Sequence, residues 1–201
     1  MNHLLPASTM RDIAHGAAEL YLCSGNEAAA KAAQLMKTSL PERLIDPPRP
    51  LDVLRHLQSI VLPCLSQDFG SLVRNSAPAL PWTDRGFGLP PGIRDRNAYA
   101  ELIGPSGPMV SDECRFGFYL QAPDCLYPAH SHATEEFYYI LSGSAEWRLG
   151  EAETFVPDVP DLVHHLPWQS HEMRTGQSPL LAMWIWTGDI RYSTYSISGR
   201  A

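Results

Sequence analysis

The sequence has no basic run, no long apolar run and no paired cysteines, and each absence excludes a class of function. Fifteen Lys and Arg stand against twenty-two Asp and Glu, a net charge of -7. Nucleic-acid binding draws on counterion release at a basic surface, so a nucleic-acid partner is not expected. The same deficit argues against docking on an anionic membrane. No apolar stretch approaches the ~20 residues that span a bilayer. The opening MNHLLPASTMRD lacks the charged and apolar regions of a secretory leader. Cys23, Cys64, Cys114 and Cys125 are widely spaced with no C-x-x-C pair, which predicts reduced, mostly buried thiols and a cytoplasmic location. Only 18% of residues are charged, whereas prolines number eighteen and glycines fourteen, which fits a β-rich body with many turns. A chain of 201 residues holds one domain with a modest appendage and builds a core without disulfides.

The texture changes near residue 75. Before it, apolar residues recur at helical spacing. Ser8-Thr9 predicts the cap of a helix through Ile13, Ala17 and Leu20, and Asn26-Glu27 opens a second, alanine-rich helix that stops at Pro41. After the DPPRP turn, Leu51, Leu54, Leu57, Ile60 and Val61 predict a third amphipathic helix, and Phe69, Leu72 and Val73 a fourth. From about Tyr99 short segments rich in aromatic and branched residues follow one another: RFGFYLQA, EEFYYILSG, AEWRLG, ETFV, DLVHHLP and LLAMWIW. Such runs, punctuated by Gly, Pro, Asp and Ser, predict a sandwich or small barrel. The expected fold is therefore mainly β. Residues 1–75 form a helical N-terminal cap, 76–98 a Pro/Gly-rich linker, and 99–201 the barrel.

Five of the eight histidines fall between residues 130 and 171. The densest piece runs from Tyr127-Pro-Ala-His130-Ser-His132 through Glu136-Phe-Tyr138 to Gly143. Side chains alternate along a strand, so His130 and His132 share a face, as do Glu136, Tyr138 and Ile140. Phe137, Tyr139 and Leu141 point into the layer behind. Two imidazoles and a carboxylate on one wall can hold a divalent metal if another strand brings a further histidine. His3, His15 and His56 read as surface or core residues.

The spacing H-x-H-x3-E-x6-G resembles the first signature of the cupin barrel, a double-stranded β-helix or jelly roll. The residues that carry it are His130, His132, Glu136 and Gly143. The family's second signature, roughly P-G-x-x-H-x-x-x-N, brings the last histidine. Pro160…His164 and Pro167…His171 both offer its proline-histidine spacing, and His171 is preferred because PDLVHHLP then becomes the preceding strand. Trp168 stands where that signature has glycine, and Thr175 where it has asparagine. His164 and His165 remain open as donors to the site or as plain strand residues. Glu135, on the opposite parity, is the competing carboxylate.

Tyr138 lies two residues beyond Glu136 on the same face, which points its phenol at the cation. A cation favours the phenolate, so Tyr138 is the expected general base. Tyr127 precedes Pro128, which forces an extended chain and sets its ring at the pocket mouth.

The combination Y-P-A-H-S-H, E-x-Y and the tail M-W-I-W-T-G-D-I resembles the cupin family of dimethylsulfoniopropionate lyases, most specifically over residues 127–143. The helical N-terminal segment is also similar to that of the longer members. The resemblance implies a carbon–sulfur lyase that splits dimethylsulfoniopropionate into dimethyl sulfide and acrylate by β-elimination. It implies His130, His132, Glu136 and His171 as ligands of one divalent transition metal, and three histidines with one glutamate accept Zn, Fe(II), Mn, Co or Ni. Tyr138 would be the base, and Tyr127 a second tyrosine at the substrate. Trp186 and Trp184 share a strand face and are the expected aromatic partners for a sulfonium. Cupins commonly pair through sheet edges, so a homodimer is expected. Two other readings stand beside this one: a cupin oxygenase or isomerase on another small carboxylate, and a metal-bearing sensor without turnover.

Overall fold

Small residues let the first two helices approach closely. In the computed structural model, which describes residues 5–38, 40–45, 49–84 and 88–197, α1 (Ala7–Leu22) and α2 (Glu27–Met36) meet through buried Ala14, Ala17, Ala18, Ala29, Ala32 and Ala33. Asn26 caps α2 by accepting from the Ala29 N–H at 2.9 Å, satisfying one of the donors a helix start leaves over. Residues Asp52–Ser59, expected as an α-helix, form a 3-10 helix instead. The reason is in the spacing: Leu51, Leu54, Leu57 and Ile60 recur every three residues, the period of a 3-10 turn. The next helix, α3 (Gln67–Ser76), is capped by Ser66. His3 and part of the DPPRP turn lie outside the described residues.

Ten strands follow. β1 (Trp82–Thr83) precedes the short helix α4 (Pro91–Arg94). Then come β2 (Asn97–Ile103), β3 (Cys114–Gln121), β4 (Leu126–Ser131), β5 (Thr134–Ser142), β6 (Ala145–Leu149), β7 (Leu162–His165), β8 (His171–Thr175), β9 (Leu180–Gly188) and β10 (Ser196–Ile197). They form two antiparallel sheets, ordered β1-β2-β3-β9-β5-β7 and β10-β4-β8-β6. This is a mainly β fold, a cupin barrel with N-terminal helices.

Each face of the larger sheet has its own core. Outward, Phe116, Phe118, Phe137, Leu141, Met183 and Ile185 pack with the buried residues of α1 and α2. The Tyr21 hydroxyl donates to the Phe137 carbonyl at 3.2 Å across that boundary. Inward, Tyr119, Tyr138, Ile140, Trp184 and Trp186 meet Tyr127, Trp147 and Met173 of the smaller sheet. β9 is therefore buried on both faces, which explains its unbroken apolar run. ETFV makes only an isolated bridge between Phe155 and Trp147. Its Phe155 and Val156 are exposed, so no layer covers them as it covers the true strands.

Two positions carry left-handed backbone that the site depends on. Gly143 (φ 80) closes the turn from β5 to β6, and a Cβ there would lie 1.9 Å from the Pro179 carbonyl oxygen. Trp168 adopts φ 64, a conformation glycine accepts at no steric cost. Its N–H donates to the His132 carbonyl at 2.7 Å, which anchors the β7–β8 loop beside the histidine cluster.

Candidate active site

Three strands and the link between two of them deliver the site's imidazoles and carboxylate to one point. His130 ends β4 and pairs directly with His171 at the start of β8, while Glu136 lies on β5 and His132 just before it. All four are buried. Ring nitrogens of His130, His132 and His171 lie within metal-sharing distance of one another, and so do a Glu136 carboxylate oxygen and ring nitrogens of His165 and His171.

The tautomers follow from the backbone. Nδ1 of His130 lies 2.8 Å from the Pro128 carbonyl, Nδ1 of His132 3.2 Å from that of Thr134, and Nδ1 of His171 2.8 Å from that of Gln169. A carbonyl only accepts, so each Nδ1 carries the hydrogen and each Nε2 is left with a bare lone pair. Nε2 of His132 and of His171 both lie 3.3 Å from Glu136 Oε2. That of His171 is buried with no hydrogen-bond partner among the described residues. Lone pairs and a carboxylate converging without shared protons suit a cation, which satisfies them together. The donor set therefore fits a divalent metal. Burial, and then the neighbouring His171, hold His130 well below the ordinary histidine range. Burial alone would favour the neutral acid of Glu136, but contacts from His132, His165 and His171 outweigh it and keep the carboxyl well below the usual carboxylate range.

Glu136 is held from both sides. Trp186 Nε1–H donates to its Oε1 at 2.5 Å, and His165 Nδ1 lies 2.8 Å from its Oε2. His165 is fully buried, its ring stacked on that of His171 at 3.8 Å and 17°, and burial with that neighbour lowers it to about 3. His164 faces the other way. Its Nε2 lies 2.8 Å from Glu135, its Nδ1 3.5 Å from the Asn26 amide, and its ring stacks on Phe137. His164 and Glu135 thus pair outside the cluster, on the helical side of the sheet.

A narrow cavity opens beside Glu136 and His130, walled largely by tyrosine and tryptophan. Tyr138, Tyr127, Trp184 and Trp186 all line it, and its described lining contains no lysine or arginine. Burial first, and then the Glu136 charge, push the Tyr138 phenol well above its ordinary value, so without a nearby cation it stays protonated. Tyr127 reaches the cavity through an irregularity that strand alternation hides. Between Tyr127 and His130 the β4–β8 register shifts, so three residues on β4 span the two from Met173 to His171. Such a bulge turns both side chains inward despite their odd spacing.

Further residues escaped the sequence pattern. The Tyr195 hydroxyl donates to that of Tyr127 at 2.8 Å, and its ring lies 4.9 Å from that of His130. It arrives on the segment after β9, where no periodicity announces it. Tyr119 also lines the cavity, its hydroxyl 2.9 Å from Gln121. The signal for it was present, because Tyr119 and Gln121 are the polar face of an otherwise apolar strand. The C-terminal segment is tied to the barrel by Arg115, which bonds Glu101 at 2.6 Å and the Ile190 carbonyl at 2.8 Å. The Tyr192 hydroxyl donates to the same Glu101 carboxylate at 2.6 Å.

The fold and this cluster define a cupin with a His/Glu group able to hold a metal. Over residues 24–182 the chain matches the model of the dimethylsulfoniopropionate lyase family, and it belongs to that family. It is 36% identical to DddL of Cereibacter sphaeroides over 101 residues, covering 50% of this chain and 42% of that protein. It is 33% identical to the dimethylsulfoniopropionate lyase DddQ of Ruegeria pomeroyi over 108 residues, 54% of each. The chain thus spans about half the length of the curated relatives it matches. The crystal structure of the Ruegeria pomeroyi DddQ superposes with a TM-score of 0.75 at 23% identity, covering 95% of this chain and 96% of that one, which shows a shared fold. Among the described residues no helix is long and apolar enough to cross a membrane.

Proposed function

We propose that this chain is a metal-dependent lyase that cleaves dimethylsulfoniopropionate to dimethyl sulfide and acrylate. One observation carries the reading: the His/Glu cluster and the Tyr138 phenol share an aromatic cavity whose described walls hold no cationic side chain. Membership of the family supplies the substrate.

His130, His132, Glu136 and His171 would hold the metal, and Zn, Fe(II) and Mn all accept such a set. A bound divalent ion supplies positive charge that favours the Tyr138 phenolate and attracts the substrate carboxylate. Tyr138 then takes the α-proton. The C–H electron pair forms the new C=C bond as the β-carbon–sulfur bond breaks. The sulfur leaves with that bonding pair, so neutral dimethyl sulfide departs and acrylate remains. The proton passes from Tyr138 to water before the next turnover. Trp184 and Trp186 offer π faces to the sulfonium. The Trp184 N–H is already bound to the Phe118 carbonyl at 3.1 Å, which fixes its ring. Tyr127, braced by Tyr195, adds a second phenol at the substrate. Burial raises the Tyr127 hydroxyl above its ordinary value, which keeps it a hydrogen-bond donor or acceptor rather than an anion.

The test is release of dimethyl sulfide and acrylate in equal amounts by protein loaded in turn with Zn, Fe(II) and Mn. The expected result is equimolar product that disappears when a chelator strips the metal. Metal-loaded, folded protein that releases neither product removes the lyase reading.

A further inference from the structure

We infer that His165 is a positioning residue: its Nδ1–H fixes the Glu136 carboxylate for the metal. The inference rests on the reading that His130, His132, Glu136 and His171 hold a metal.

The argument starts from register. Trp186, Glu136 and His165 occupy one row across three adjacent strands, Glu136 being the direct partner of Trp186 on β9 and of His165 on β7. Directly opposed residues of an antiparallel pair carry their Cβ atoms about 5 Å apart, so both neighbours reach the carboxylate between them. They divide it. Trp186 Nε1–H takes Oε1 at 2.5 Å and His165 Nδ1 takes Oε2 at 2.8 Å. A carboxylate only accepts, so the hydrogen sits on Nδ1, the His165 nitrogen that faces it, and the lone pair is left on Nε2, which is buried with no hydrogen-bond partner among the described residues. The partner of Nδ1 separates His165 from His130, His132 and His171. Those three put Nδ1–H on backbone carbonyls and turn Nε2 toward the cluster. His165 has the same tautomer but puts its Nδ1–H on the Glu136 carboxylate itself.

The ring is also clamped. It stacks on His171 at 3.8 Å, with Trp147 at 5.5 Å and Tyr138 at 5.7 Å between ring centres. A fully buried imidazole so confined holds its partner at a fixed angle. Groups that orient metal ligands in this way typically govern affinity by 10–100-fold. His165 therefore sets how tightly the cluster binds.

The experiment measures metal affinity on the full chain by competition with a chromophoric chelator for Zn(II) and Co(II). Four proteins are compared: the parent, His165→Leu, His165→Asn and His165→Gln. Asparagine puts an amide N–H where Nδ1 stands, whereas glutamine puts it at the Nε2 position. The expected order is affinity near the parent's for His165→Asn, and weakening of roughly 10–100-fold for His165→Gln and His165→Leu. The Co(II) absorption bands of His165→Asn should match the parent's, since no ligand has changed. Parent-like affinity in His165→Gln overturns the inference, and so does an altered Co(II) spectrum or Leu-like affinity in His165→Asn. If His165→Leu fails to fold, the Asn–Gln contrast decides alone. A parent protein that takes up no metal overturns the metal reading as well, and so is distinguishable from failure of the positioning role.

Discussion

Two neighbouring histidines on β7 have opposite fates, and a one-residue offset decides which. His164 faces α2 and bonds Glu135, whereas His165 faces the cavity and bonds Glu136. His164→Ala should therefore leave metal content unchanged, while His171→Ala should lose it. Elemental analysis of the purified variants checks both, and metal loss in His164→Ala would contradict the ligand set. The faces of Glu136, Tyr138, Trp184 and Trp186 were legible from strand parity alone. Tyr127 was not, because the bulge in β4 breaks the parity that a sequence reading relies on. Tyr195 was not either, because it comes from a segment with no regular period.

Element by element, the legible parts are those with a clean repeat. α1, α2 and α3 lie near where apolar periodicity puts them, and the Asn26 cap was visible in the sequence. The 3-10 helix was misread because a three-residue spacing also suits one face of an α-helix. β8 shows why HEMRT passed unnoticed: it is charged, yet His171, Met173 and Thr175 alternate inward with Glu172 and Arg174 outward. The turns carry their own predictions. Trp168 is 61% exposed in left-handed backbone, so little packing offsets its strain. Trp168→Gly should stabilise the protein by about 1 kcal/mol, read as a melting temperature higher by roughly 2–4 °C. An unchanged or lower value contradicts the strain. Gly143→Ala should do the opposite, by about 1–3 kcal/mol. Its methyl would meet the Pro179 carbonyl as well as the unfavourable φ.

At the scale of the whole molecule, the buried histidines make stability depend on pH. In metal-free protein His165 is lowered to about 3 and His130 well below the reference 6.5, both chiefly by burial. The unfolded chain therefore binds protons below pH 6.5 that the folded barrel refuses. The contribution of these groups is complete above pH 6.5 and is lost as pH falls toward 3. Glu136, also depressed, adds a loss at the acid end, below the carboxylate reference of 4.5. The melting temperature of metal-free protein should fall between pH 7 and pH 5, and a flat profile would contradict the burial of neutral His130 and His165. Added metal should raise it, because it binds the folded state alone.

These scales meet at Tyr138, which strand alternation aims, burial keeps protonated and the neighbouring cluster would activate. The most direct measurement is therefore dimethyl sulfide release by Tyr138→Phe, compared with the parent at equal metal content. Loss of the base should lower the rate by at least ~10²-fold while fold and metal content stay unchanged. A Tyr138→Phe protein that releases dimethyl sulfide at the parent's rate would contradict the account.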